Sequence, residues 1–158
     1  MGILFRNEAR VSRFGNHNGG GTAAETTVLQ CEDVSTEVVA KILKDAYFDV
    51  TTEPNGALRV KDNYNYYLFV DKDRGVIRYQ CAIRLNEAST QESRLKYVNH
   101  VNSQIMLIRA TTFEKVVLFD YFLPTQGGVN PKTIVLAFKR FASCLFSAIQ
   151  ANTEHVLG

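Results

Sequence analysis

The sequence predicts an α+β fold: three helices packed on one face of a largely antiparallel sheet, in the order α-ββββ-α-ββ-α. Three observations carry this expectation. Apolar residues recur at helical spacing in three separate stretches, near residues 35–47, 89–105 and 131–151. Period-two alternation fills the two intervals between those stretches. The regular strand–helix–strand repeats that a doubly wound parallel sheet requires are not evident.

The first helix reads from "VSTEVVAKILKDAYF", with Val38, Val39, Ile42, Leu43 and Ala46 on one side and Glu37, Lys41, Lys44 and Asp45 on the other. Ser35 or Asp33 is placed to accept from its unpaired first amides. Four strands follow. "FDVTTE" turns at Pro54-Asn55-Gly56 into "ALRVKD", because Asn-Gly favours a tight reversal. "YNYYLFVD" and "VIRYQCAIRL" are joined by Lys72-Asp73-Arg74-Gly75. In the last of the four, Ile77, Tyr79, Cys81, Ile83 and Leu85 face inward, while Arg78, Gln80 and Arg84 face out.

The second helix opens with Ser89 and Glu92 at capping-box spacing. Leu95, Val98 and Ile105 line one side, interrupted by Asn102. Strands are then expected over Met106 to Phe113 and Val116 to Leu123, paired across Glu114-Lys115. The final helix carries Ile134, Val135, Phe138, Phe141, Ala142, Leu145, Phe146 and Ile149, a stripe wider than one sheet contact needs. Part of it is therefore expected to bury a second surface, and a homodimer is the expected state.

Composition separates two regions. Residues 1–31 are rich in Gly, Asn, Thr and Ala around Gly19-Gly20-Gly21 and read as a flexible tail, and 32–158 as one domain. Within the tail, "ILFRNEARVSRF" is the one stretch able to form a short basic amphipathic turn. The chain has 158 residues and a formal net charge of +2, without the basic excess of a dedicated nucleic-acid binder. No run approaches the roughly 18 apolar residues of a membrane span, and the N-terminus matches neither a signal peptide nor a myristoylation pattern. Cys31, Cys81 and Cys144 are odd in number and form no CxxC pair, which fits reduced thiols in a cytoplasmic protein.

Motifs with chemistry fail one by one. "LPTQGGVNPKTI" sits where a phosphate loop would, but Gln126 and Pro131 stand where that loop needs glycine, and proline has no N–H to donate. Asn130 and Pro131 read instead as a helix cap and first helical residue. "DKDRG" resembles the start of a calcium loop, yet its glycine arrives one place early and Ala82 occupies the twelfth position. His17, His100 and His155 share no ligand spacing, and the carboxylates look scattered over a solvated surface. Tyr64, Tyr66 and Tyr67 lack the basic-glycine pair of an RNA-reading strand. No cofactor, metal or catalytic residue is assigned.

One constellation survives. With the helices on one sheet face, the other carries Arg59, Lys61, Tyr67, Phe69, Arg78, Gln80 and Arg84. A basic face with interleaved aromatics suits an acidic peptide or partner protein, and less well a nucleic-acid backbone.

From Val34 to Ala151 the chain resembles the YbjN-like proteins, described as candidate bacterial sensory transduction regulators. The likeness rests on "TEVVAKILKDAYFDV", "YYLFVDKDRGVIRY", "YVNHVNSQIMLIRATT" and "FDYFLPTQGGVNPKTIVLAFKRF". It implies the type III secretion chaperone-like fold, whose helix and strand order agrees with the reading above. It implies no catalytic residues. The expected function is a non-catalytic regulatory or chaperone-like protein-binding module of the bacterial cytoplasm, with a weak nucleic-acid-binding regulator as the alternative.

Overall fold

The computed structural model describes residues 28–158. It contains helices α1 (Thr36–Asp45), α2 (Gln91–Gln104) and α3 (Pro131–Gln150) and strands β1 (Asp49–Thr52), β2 (Leu58–Lys61), β3 (Asn65–Asp71), β4 (Val76–Arg84), β5 (Arg109–Phe113) and β6 (Val116–Pro124). The six strands form one sheet in the order β1-β2-β3-β4-β6-β5, with every neighbouring pair antiparallel. The expected order α-ββββ-α-ββ-α is the observed one.

One face of the sheet holds the core. Leu58, Val60, Tyr66, Leu68, Ile77, Tyr79, Cys81, Val117 and Phe119 are buried there beneath residues from all three helices. The helix α1 contributes Val39, Ala40 and Leu43, capped by Ser35, whose hydroxyl accepts from the Val38 amide at 3.3 Å. Asn130 caps α3 through Lys132 N–H at 2.8 Å, and Pro131 occupies the first turn. By length and composition α3 is apolar enough to cross a bilayer, but Ile134, Ala137, Phe138, Phe141, Leu145 and Ala148 are buried in this core. Edge-to-face rings lock the contact, with Tyr66 5.2 Å from Phe138 and 5.9 Å from Phe141.

Two buried tyrosines anchor α3 at points about four turns apart. The Tyr79 hydroxyl donates to the Ile134 carbonyl at 3.1 Å, and the Tyr97 hydroxyl donates to the Ala148 carbonyl at 2.8 Å. Each satisfies a polar group that burial would otherwise leave without water.

Several local expectations are corrected. The N-cap of α2 is Thr90, whose hydroxyl accepts from Ser93 N–H at 3.1 Å; Ser89 instead donates to the Asn86 carbonyl and accepts from Arg94. The buried side of α2 is Tyr97, Val98 and Val101, while Leu95 is half exposed. The strand expected from Met106 begins only at Arg109, because Leu107 takes a positive φ of 73° and turns the chain. On α3, Phe146 points away from the core.

The boundary expected after residue 31 meets ordered contacts earlier. Leu29 exchanges backbone hydrogen bonds with Val129, at 2.9 and 2.8 Å. Gly128 permits this approach: at φ +93° it has no side chain, and a Cβ there would lie 2.6 Å from Val28. The tail expected over most of 1–31, including "ILFRNEARVSRF" and the glycine triplet, lies outside the described residues.

Candidate functional site

The second face of the sheet is not covered by any of the three helices. Register places its side chains in cross-strand rows. Arg59, Tyr67, Gln80, Asp120 and Arg109 form one row across five strands, and Phe69, Arg78 and Phe122 form the next. Leu118 lies opposite Ala82 and Thr111 in a third.

The centre of this face is Asp120. Although none of the three described helices covers it, its side chain is only 1% exposed. One oxygen, Oδ1, accepts from Arg78 Nε at 2.8 Å and from Gln80 Nε2 at 3.0 Å, and Oδ2 accepts from Arg109 at 3.5 Å. The ligating side chains themselves exclude water from the carboxylate. Phe122 lies between the two guanidinium groups, 5.8 Å from that of Arg78 and 5.2 Å from that of Arg109, and Arg78 also stands 5.9 Å from Phe69. These are cation–π distances, so both arginines are held over aromatic rings as well as against the acid.

Of the residues singled out from sequence, Tyr67, Phe69 and Arg78 fall together at this centre. Arg59 lies beside Tyr67, and Lys61 lies one row further along the same strand. Arg84 is apart. It lines a separate hollow with Glu87, Arg94, Glu114 and Lys115 near the β5–β6 turn. Sequence reasoning missed Asp120, Arg109 and Phe122. Their signal was present, since Val117, Phe119, Tyr121 and Leu123 alternate inward and so put Leu118, Asp120 and Phe122 outward.

The expected basic character is largely neutralised. Arg59 pairs with Glu53 at 3.1 Å, Arg78 and Arg109 share Asp120, and Lys61 lies opposite Asp49 in the register. The carboxylates are therefore not simply scattered: these stand among the arginines of the face. What the face offers is aromatic and aliphatic area around a fixed charged centre, rather than a strong positive field.

Among the described residues, no three His, Cys, Asp or Glu side chains cluster as metal ligands. Burial raises the Cys81 thiol from its ordinary 9.0 to about 12, so it stays protonated in the core.

No protein-family model matches the sequence, and no curated protein gives a significant sequence match. Solved structures match in fold. The crystal structure of YbjN from E. coli, a candidate transcription regulator, superposes with a TM-score of 0.69 at 10% identity, covering 79% of this chain and 96% of that one. An uncharacterized protein from Methanothermobacter thermautotrophicus matches with a TM-score of 0.57 at 11% identity, over 77% of this chain and 99% of that one. A chain of the HopA1-SchA chaperone-effector complex matches with a TM-score of 0.51 at 8% identity, over 68% and 86%. The fold is YbjN-like and chaperone-like.

Proposed function

We propose that this chain is a non-catalytic protein-binding module, regulatory or chaperone-like, that works as a homodimer in the bacterial cytoplasm. Its partner-binding surface is the sheet face opposite α1, α2 and α3, formed by Arg59, Lys61, Tyr67, Phe69 and Arg78 and extended by Phe122 and Leu118. Arg84 belongs to the rim. The observation that carries this reading is the Phe69–Arg78–Phe122 row beside the buried Asp120. Aromatic residues and arginine fixed in place lose little side-chain entropy on binding, which is the usual make-up of an interface centre. The fold shared with a chain of a chaperone–effector complex supports a protein partner.

Nucleic acid is the weaker reading, because a phosphate backbone would have to displace existing acid partners from Arg59, Arg78 and Arg109.

The test is affinity capture from a bacterial lysate with wild type and Phe122→Glu, after circular dichroism establishes that both fold. A partner retained by wild type and lost by Phe122→Glu supports the reading; a partner held equally by both removes the face. Light scattering at micromolar concentration tests the dimer, and a monomer throughout would remove that part alone.

A further inference from the structure

A second surface lies on the helical side. Along α3, Leu136 is 52% exposed, and beside it Tyr121 and Leu123 of β6 floor a groove of about 500 Å³. A second hollow of about 450 Å³ runs from Arg140 past Cys144 to Met106 and Leu107. Arg140 lines both, so the two form one track along the helix. From Thr133 to Ser147 that track is about 21 Å long at the α-helical rise.

Two features set this track apart from chance exposure. Met106 is 81% exposed and Leu107 49% exposed, in a turn where Leu107 holds φ at +73°. A left-handed leucine costs about 1–2 kcal/mol, and the turn it makes ahead of β5 leaves both apolar side chains at the surface. The charge is also of one sign. The helix α3 contains Lys132, Lys139 and Arg140 and no acidic residue, and neither hollow has an Asp or Glu in its lining.

We propose that this track binds a short amphipathic segment of a partner protein, with apolar side chains on one edge and Asp or Glu along the other. Such a segment would set its apolar edge against Leu136, Leu123, Met106 and Leu107 and its acids toward Lys139 and Arg140, in the manner of a helix laid in a groove. A second copy of the chain is the poorer occupant of this track, because an isologous contact would bring the same basic stripe to both sides; the homodimer proposed above would form elsewhere on α3, where Phe146, outside the track, is 56% exposed. The chain's own first residues are poorer too, since Arg6, Arg10 and Arg13 outnumber Glu8 there. The proposal rests on the protein-binding reading above but uses a different surface.

The experiment selects a displayed library of random peptides, each about 16 residues long to span the track, on the full chain. The expected result is enrichment of peptides that are net acidic with apolar residues at i, i+3 or i+4 and i+7. The affinity of the leading peptide, read by fluorescence anisotropy, should fall about tenfold or more in Arg140→Glu and Leu136→Asp. It should fall again as salt rises and stay unchanged in Phe122→Glu. Arg140→Ala, with a smaller loss, guards against a variant that misfolds. Neutral or basic peptides, no enrichment, or affinity lost in Phe122→Glu but kept in Arg140→Glu would each overturn the proposal. So would a change of oligomeric state caused by Arg140→Glu, which would assign the track to a second copy.

Discussion

Arg78 on β4 and Asp120 on β6 meet at 2.8 Å on the sheet face that none of α1, α2 and α3 covers, and the acid is 1% exposed while the arginine is 34% exposed. The pair is asymmetric: a carboxylate withdrawn from water by the groups that bind it, and a guanidinium still in contact with solvent. Removing the acid therefore frees Arg78 toward water, whereas removing Arg78 leaves a buried charge with weaker partners. We expect Arg78→Ala to cost about 2–3 kcal/mol and Asp120→Ala about 1–2 kcal/mol, less than a fully buried pair because one side stays wet. Urea midpoints at constant slope measure both. Equal losses, or a larger loss in Asp120→Ala, would mean that the asymmetry has no energetic consequence.

Tyr47 closes α1 in a conformation better suited to glycine. Its φ is 66°, its amide donates to the Lys44 carbonyl at 2.9 Å, and the next amide, Phe48, donates to Leu43 at 3.1 Å. This is the Schellman pattern, with tyrosine at the left-handed position. The side chain is 97% exposed and so has few contacts to lose. Tyr47→Gly is expected to stabilise the domain by about 0.5–1 kcal/mol, raising the melting temperature by a few degrees. A lower melting temperature would show that the tyrosine ring contributes more than its exposure suggests.

Much of the fold was legible because its signals are local. Period two in "VIRYQCAIR" and the Asn-Pro entry to α3 each depend on adjacent residues only, and both appear as expected. The pairing of β4 with β6 was not legible. A helix and a strand separate them in sequence, so nothing local tells Asp120 that it will lie opposite Gln80. The charge of the candidate face is not legible for that reason: its arginines are visible in sequence, but Asp120, which neutralises two of them, comes from a strand whose neighbours are set by topology. The same holds for Asn102. In sequence it only interrupts an apolar side of α2.

In the structure Asn102 closes the sheet edge at β5. Its amide nitrogen donates to the Ala110 carbonyl at 3.0 Å, and its oxygen accepts from the Ala110 amide at 2.7 Å. One side chain thus occupies both the N–H and the C=O that Ala110 would otherwise present to a further strand, which blunts the edge at that position. Asn102→Ala should lower stability by about 1–2 kcal/mol and increase light scattering on storage or gentle heating. Asn102→Asp keeps the acceptor and loses the donor, so it should fall between. A stable, non-aggregating Asn102→Ala would show that β5 needs no such guard.

The core predicts how the domain responds to alkali. Burial raises the Cys81 thiol from 9.0 to about 12, and it also raises the phenols of Tyr66, Tyr79 and Tyr97 above their ordinary 10.0. Below pH 9 the thiol is protonated in folded and unfolded chains alike, and its contribution to stability is complete. As pH rises past 9, the unfolded chain gives up the proton while the folded one keeps it. Stability then falls, and goes on falling until the folded thiol titrates near pH 12. The tyrosines add to the same loss from pH 10 upward. At pH 10 the thiol alone should remove about 1 kcal/mol, a loss absent at pH 8. Urea midpoints measured at intervals from pH 7 to 10.5 should be level at first and then decline, and Cys81→Ala should move the start of the decline about one pH unit higher. The same burial should keep Cys81 unlabelled by a thiol reagent at pH 8 until urea unfolds the chain. Prompt labelling of Cys81 in the native state, or a midpoint level through pH 10.5, would mean that the thiol is not held in the dry interior between β3, β6 and the helices.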